Sequence, residues 1–419
     1  MGTAKYFPNV EDVKKASDVL AEILEPTPFQ RNNNLSDVYG AEVYLKREDL
    51  QMVRSYKIRG AYNKIRSIAP EVLKYGIVCA SAGNHAQGVA FSCNKLQIMG
   101  SIYMPVTTPK QKIEQVRMFG KEYIDIVLVG DTFDAANSAA IDYAKKSGKT
   151  FIPPFDDEKI IEGQGTIGHE ILSQSKQPLD YIFVPIGGGG LASGLGSFIK
   201  QMSPETKIIG VEPAGAPCMK AAIENGDVVE LEHIDKFIDG AAVKKAGQKT
   251  YEICKEVLDD IITVPEGAVC TTIIQLYNKS AIVVEPAGAL AISAMRFYAD
   301  QIKGKRVACI VSGSNNDITR MEEIREKSLI YEGLKHYFIV SFPQKSGALL
   351  SFIRDIIGPT DNLVYIQYIR KTNKEEGPAL IGIEVAAKED FKALMRRMDA
   401  HNFNYEYINE NNKLFEILI

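Results

Sequence analysis

Tyr181-Ile182-Phe183-Val184-Pro185-Ile186-Gly187-Gly188-Gly189-Gly190-Leu191-Ala192-Ser193-Gly194 is the stretch on which the reading of the fold turns. Its apolar run reads as a buried strand, its glycines as a turn without side chains, and the small residues beyond as the start of a helix. A strand passing through glycines into a helix aims backbone N–H groups and aligned dipoles at an anion, most strongly at a dianionic phosphate. Working outward, strands alternate with helices on both sides. Upstream, residues 77–80, 101–104, 124–129 and 150–152 read as strands, with helices over 85–96, 110–118 and 134–146 between them. Downstream, residues 207–211 and 307–311 continue the pattern. This alternation predicts two α/β lobes with mostly parallel sheets and a ligand cleft at the strand carboxyl ends. The smaller lobe is expected over about residues 50–153.

Far upstream of the glycines stands Ser55-Tyr56-Lys57-Ile58-Arg59-Gly60, just after the charged run Lys46-Arg47-Glu48-Asp49. A lysine in closed, mostly uncharged surroundings sheds its proton and can attack a carbonyl to form a Schiff base. Taken alone, Lys57 reads more simply as a solvated lysine between Arg54 and Arg59. Joined to a phosphate cradle it points to pyridoxal phosphate, which carries an aldehyde and a phosphate on one ring. Two further segments strengthen that reading. Ser81-Ala82-Gly83-Asn84-His85 ends a strand and opens a helix, where backbone donors suit a substrate carboxylate and the Asn84 amide suits a phenolate oxygen. Helix capping by Ser81 or Asn84 is the plainer alternative. Ser312-Gly313-Ser314-Asn315 follows the 307–311 strand, and its first hydroxyl suits a pyridine nitrogen, the alternative being a turn. A serine there does not favour ring protonation, so the ring is a milder electron sink, which suits β-elimination.

Competing signals are weaker. Gly187, Gly189 and Ala192 with Glu212 imitate a dinucleotide fingerprint, which leaves a nicotinamide-dependent dehydrogenase as the rival from another class. Gly148-Lys149-Thr150 resembles a P-loop only in part, because Tyr143 stands where the first glycine belongs. His169, His233, His336 and His401 fall at no metal-ligand spacing, and no metal is expected. Cys79, Cys93, Cys218, Cys254, Cys270 and Cys309 are scattered without a C-x-x-C, as in a reduced cytosolic protein. A net charge of −4 without a basic block speaks against nucleic acid. No apolar stretch approaches membrane-spanning length, and Met1-Gly2-Thr3-Ala4-Lys5-Tyr6 has no signal-peptide core, so a cytoplasmic location is expected.

Near the C-terminus the character changes. Residues 319–334 read as an amphipathic helix with Met321, Ile324, Leu329 and Leu334 on a shared side. Strands at 337–340, 363–369, 379–385 and 404–408, with helices at 346–357 and 389–398, then give the order βαββαβ of a ferredoxin-like module.

With these segments together, the chain resembles the fold-type-II pyridoxal-phosphate enzymes, and among them the threonine ammonia-lyases, also called threonine deaminases or dehydratases. The likeness runs through residues 45–60, 81–88, Glu162-Gly163-Gln164-Gly165-Thr166, residues 187–194, Glu285-Pro286-Ala287-Gly288-Ala289, residues 312–315 and the C-terminal module. The resemblance implies that Lys57 holds the cofactor covalently and later removes the Cα proton. It implies further that Asn84 contacts the ring oxygen, that Gly187, Gly188, Gly189, Gly190 and Leu191 bind the phosphate, and that Ser312 faces the ring nitrogen. Ser81, Ala82, Gly83, Asn84 and His85 would bind substrate, and Gly240 and Glu285 would line the pocket. The implied reaction is β-elimination of L-threonine, or of L-serine, to a 2-oxo acid and ammonia, the first committed step of isoleucine biosynthesis. Serine racemases of this fold resemble Ser-Ser-Gly-Asn-His at the substrate loop; Ala82 cannot carry a proton, which favours elimination over racemisation. Tyr56 stands where phenylalanine is usual, and Cys218 where racemases have an acidic metal ligand. The C-terminal module resembles an ACT-like regulatory domain, which implies feedback inhibition by isoleucine, opposition by valine, and a homotetramer. The expected divisions are a catalytic domain over 1–320, a connecting helix over 321–335 and the regulatory domain over 336–419.

Overall fold

The computed structural model describes residues 6–368, 375–411 and Phe415. Residues 1–5, quoted above for want of a signal core, and Ile369, expected to close a strand, lie outside the described residues. The chain divides into two units, Met1–Asp317 and Ile318–Ile419. No described helix is long and apolar enough to cross a membrane.

The first unit holds the two expected sheets. The smaller is wholly parallel, in the order Ile124–Leu128, Gly100–Met104, Ile77–Ala80, Thr150–Phe151. Helices Asn84–Leu96, Lys110–Gly120 and Phe133–Ser147 connect its strands. The larger runs Phe29–Arg31, Glu42–Arg47, Arg306–Val311, Tyr181–Pro185, Lys207–Pro213, Asp260–Val264. Its first pairing is antiparallel and the rest are parallel. Ile182, Val184, Ala308 and Ile310 in its middle strands are fully buried, which is why their sequence is a continuous apolar run.

Three strands escaped the sequence reading: Phe29–Arg31, Glu42–Arg47 and Asp260–Val264. The second carries half of the charged run, yet Lys46, Arg47, Glu48 and Asp49 are all buried. Each has a partner. The Lys46 ammonium donates to the Thr27 carbonyl (2.8 Å), to Glu170 (2.5 Å) and to Gln174 (3.1 Å). Arg47 pairs with Asp49 at 2.7 Å. Arg59 grips Glu48 through Nε and Nη2, both at 2.8 Å, and Glu170 through Nη1 and Nη2 at 2.6 and 2.9 Å. Bidentate pairs of this kind tolerate burial because each charge is met at close range by its opposite.

The Glu162-to-Thr166 motif lies inside helix Glu158–Gln174, which crosses helices Lys57–Arg66 and Gly190–Met202. Glycines on both sides of the contact make the crossings possible, Gly163 in the motif and Gly194 on the glycine-loop helix. A Cβ on Gly163 would come within 2.8 Å of the Arg59 carbonyl, and one on Gly194 would overlap the Ile161 carbonyl. The motif therefore packs the lysine helix against the glycine-loop helix.

The second unit is an antiparallel sheet in the order Asn362–Tyr368, Glu376–Glu384, Lys335–Pro343, Asn404–Tyr407. Helices Ala348–Ile356 and Asp390–Ala400 bury Phe352, Ile356, Leu394 and Met398 against Phe338, Val340, Phe342, Ile381 and Ile383. This is the expected βαββαβ module. The helix ahead of it, Met321–Tyr331, is shorter than expected: it buries Ile324 and Ser328, and Leu334 lies beyond its end.

Candidate active site

Lys57 opens the helix Lys57–Arg66. The residues ahead of it are stitched to the loop after strand Arg306–Val311. The Tyr56 N–H donates to the Ser312 carbonyl at 3.2 Å, and the Ser314 N–H donates to the Arg54 carbonyl at 2.9 Å. Asn315 adds a bond to the Val53 carbonyl at 3.0 Å. Two segments distant in sequence thus form one wall of the site. Arg54 is exposed and points the charge of that flank outward, while Arg59 is consumed by Glu48 and Glu170. Lys57 has no ion pair among the described residues, and burial lowers its pKa to about 8, with Glu285 opposing the shift. An amine poised there is part neutral near physiological pH, as a nucleophile or base must be. The solvated-lysine reading fails.

Asn84 is the first residue of helix Asn84–Leu96, whose N-cap is Gly83 without a side-chain cap. Neither Ser81 nor Asn84 caps the helix, so the plainer reading of this segment fails too. The Asn84 amide donates to Glu285 at 2.7 Å and accepts from Asn315 at 2.6 Å. Ser81 takes the Gly83 N–H at 3.2 Å. Ser81, Ala82, Gly83 and Asn84 are half-buried, open to a small molecule. His85 differs: its ring is buried, with Nε2 3.0 Å from the Ile152 carbonyl. Burial, helped by the Lys57 charge, pushes its pKa down to about 3, so the ring stays neutral and is held by the Ile152 carbonyl.

Glu285 is the titratable centre of the opposite wall. Burial, reinforced by Asp239, raises its pKa to about 7, against the Asn84 hydrogen bond and the charges of Lys112 and Lys57. Asp239 is itself paired with Lys112 at 2.6 Å. Gly240 adjoins: a Cβ there would come within 2.8 Å of the Ala287 Cβ and 3.6 Å of Glu285 Oε1. Ser312 is buried, and its hydroxyl donates to the Ala287 carbonyl at 3.1 Å.

The glycine loop turns from strand Tyr181–Pro185 into helix Gly190–Met202, with Gly189 at φ +92°. Side chains would not fit: a Cβ on Gly188 would overlap the Phe155 ring, and one on Gly187 would crowd the Ala241 backbone at 3.0 Å. The N–H groups of Gly187, Gly188 and Gly189 have no acceptor among the described residues. Unspent donors at a helix start, a part-neutral lysine and the Asn84 amide are the features a pyridoxal phosphate needs for its phosphate, aldehyde and ring oxygen. The residues present fit that group.

Glu212, which imitated a ribose ligand, accepts the Met219 and Lys220 N–H groups at 2.7 and 2.8 Å at the start of helix Cys218–Asn225. Its carboxylate is spent as a helix cap, which removes the feature that favoured a dehydrogenase. Sequence reasoning missed the bridging role of Asn315 and the Lys112–Asp239 pair, because both depend on partners more than a hundred residues away.

Comparison with known proteins agrees with this geometry. Residues 20–313 match the family described as pyridoxal-phosphate dependent enzyme, and residues 326–418 match the C-terminal regulatory domain of threonine dehydratase. The chain is 56% identical to L-threonine dehydratase biosynthetic IlvA of Halalkalibacterium halodurans, over 98% of this chain and 99% of that one. The processed form of threonine deaminase isoform 2 from Solanum lycopersicum superposes with a TM-score of 0.72 at 39% identity, covering 78% of this chain and 96% of that one. Maize serine racemase reaches the same TM-score at 27% identity, covering 78% of this chain and 99% of that one. The fold alone therefore does not separate elimination from racemisation, whereas the regulatory domain and the full-length identity do: the chain belongs to the pyridoxal-phosphate dependent enzymes and, within them, to the biosynthetic threonine dehydratases.

Proposed function

We propose that the chain eliminates water from L-threonine, with L-serine as a second candidate substrate, and that its C-terminal unit sets the rate in response to isoleucine. The observation that carries the chemistry is Lys57, half-buried beside the Ser312 loop with a pKa lowered to about 8. Pyridoxal phosphate bound there supplies an aldehyde for the amino group and a ring that withdraws electrons from Cα. The chain's residues do the rest. The amides of Gly187 to Leu191 hold the phosphate, Asn84 the ring oxygen and Ser312 the ring nitrogen. The backbone from Ser81 to His85 holds the substrate carboxylate. Lys57, once neutral, removes the Cα proton, and the β-hydroxyl departs with a proton. The released 2-aminobut-2-enoate tautomerises and hydrolyses to 2-oxobutanoate and ammonia. Ala82 offers no second base on the opposite side, which supports elimination over racemisation. Gly240 and Glu285 complete the pocket.

We assign catalysis to residues 1–320, a connecting helix to 321–335 and regulation to 336–419. Isoleucine inhibits by binding the less active state more tightly, because equal affinity for both states shifts nothing, and valine opposes it. The working form is a cytoplasmic homotetramer. The test is 2-oxobutanoate formation from L-threonine with and without isoleucine. Product that falls on adding isoleucine supports both halves of the reading; product indifferent to isoleucine sinks the regulatory half. Absence of product with cofactor bound sinks the substrate assignment.

A further inference from the structure

A glycine loop poses a physical problem. Glycine loses more conformational freedom on ordering than any other residue, so a phosphate cradle made of glycines is pre-organised only if something outside it fixes the peptide planes. In a planar trans peptide, the carbonyl of one residue and the N–H of the next point in opposite directions. Tying a carbonyl outward therefore aims the following N–H inward.

Consecutive carbonyls of this loop are tied in that way. The Thr250 hydroxyl donates to the Gly188 carbonyl at 2.6 Å, and the Gly247 N–H reaches the same oxygen at 3.3 Å. The Cys218 thiol lies 3.4 Å from the Gly187 carbonyl, and the Gly189 carbonyl accepts the Ser193 N–H at 2.9 Å with the Cys254 thiol 3.8 Å away. All of these side chains are fully buried. Thr250 and Cys254 share helix Gln248–Val257, whose first amides are held by Asp156: Lys249 N–H at 2.9 Å and Thr250 N–H at 3.2 Å. Phe155, next to Asp156, is the ring that a side chain on Gly188 would strike. Thiols are weak donors, so Thr250 is the principal tether.

We propose that Thr250, assisted by Cys218 and Cys254, is a positioning residue that aims the Gly188, Gly189 and Gly190 amides at the cofactor phosphate. The proposal rests on the reading of this loop as the phosphate site. It predicts a selective defect, in which the phosphate end of the cofactor loses affinity and the aldehyde end does not.

The experiment titrates cofactor-free full-length protein with pyridoxal phosphate and, separately, with pyridoxal, following the absorbance of the bound ring. Thr250→Val removes the hydroxyl at nearly constant volume and is expected to weaken pyridoxal phosphate about tenfold, while changing pyridoxal less than about twofold. Thr250→Ser, which keeps the hydroxyl, restores the wild-type ratio. Equal weakening of both ligands overturns the proposal in favour of a general packing role, and so does a Thr250→Val protein with the wild-type ratio. Gly188→Ala separates the two layers of the argument. If it lowers the ratio and Thr250→Val does not, the loop is the phosphate site and the tether is wrong; if neither lowers it, both fall.

Discussion

Two positive centres, Lys57 half-buried and Arg59 buried, lie at one end of the same helix and behave oppositely. Arg59, two residues beyond Lys57, is closed in by Glu48, Glu170 and Thr166, and those carboxylates hold its pKa above the ordinary arginine value although burial acts against it. Lys57, half-buried, also loses solvation, with the charge of Glu285 opposing the shift, and Glu285 is itself pushed to about 7, so its negative charge is partial near neutrality. The core side of the helix is a paired cluster that holds secondary structure together. The cleft side is deliberately short of countercharge, and a lysine that is short of countercharge can give up its proton. What separates scaffold from chemistry here is the number of charged partners together with the partial opening of Lys57 to the cleft, whereas Arg59 is fully enclosed.

The largest way to test that contrast is Lys57→Ala. Loss of the amine removes both attachment and proton transfer, so 2-oxobutanoate formation is expected to fall by about 10⁴-fold or more. Thermal unfolding of the cofactor-free protein should be little changed. Turnover at the wild-type rate would end the mechanism. Next comes Arg59→Met, which leaves the buried Glu48 without its cation and Glu170 with Lys46 alone, and is expected to cost about 3–5 kcal/mol of stability, read from urea unfolding. A variant as stable as wild type would mean that the cluster is not a paired structural unit.

The smallest effect is a pH shift. Lys57 captures the cofactor as the neutral amine, so the capture rate of the cofactor-free protein should rise with pH through about 8. Glu285 stabilises the protonated lysine, and Glu285→Gln removes that negative charge. The midpoint should therefore move down, by less than about one pH unit, worth about 1.4 kcal/mol or less. An upward move would show that Glu285 is not acting on Lys57 through its charge.

Much of the molecule was legible in the sequence. Tyr181 to Gly194 disclosed a strand, a glycine turn and a helix because each depends on neighbours a few residues away, and the alternation on either side disclosed two parallel-sheet lobes. The C-terminal βαββαβ order was legible for the same reason. Lys57, Asn84, the glycine loop and Ser312 could be singled out as residue types, but their assembly could not. Only the tertiary structure turned Lys46-Arg47 into a buried strand, because the carboxylate that neutralises Lys46 sits on Glu170. Only the tertiary structure made Glu212 a helix cap and Gly163 a helix crossing, and set Thr250 against the Gly188 carbonyl. The dividing line is range. Backbone geometry and apolar periodicity act between neighbours and are written locally, whereas a charge or a carbonyl is satisfied by whichever partner the fold brings within about 3 Å, and no local pattern encodes which partner that is.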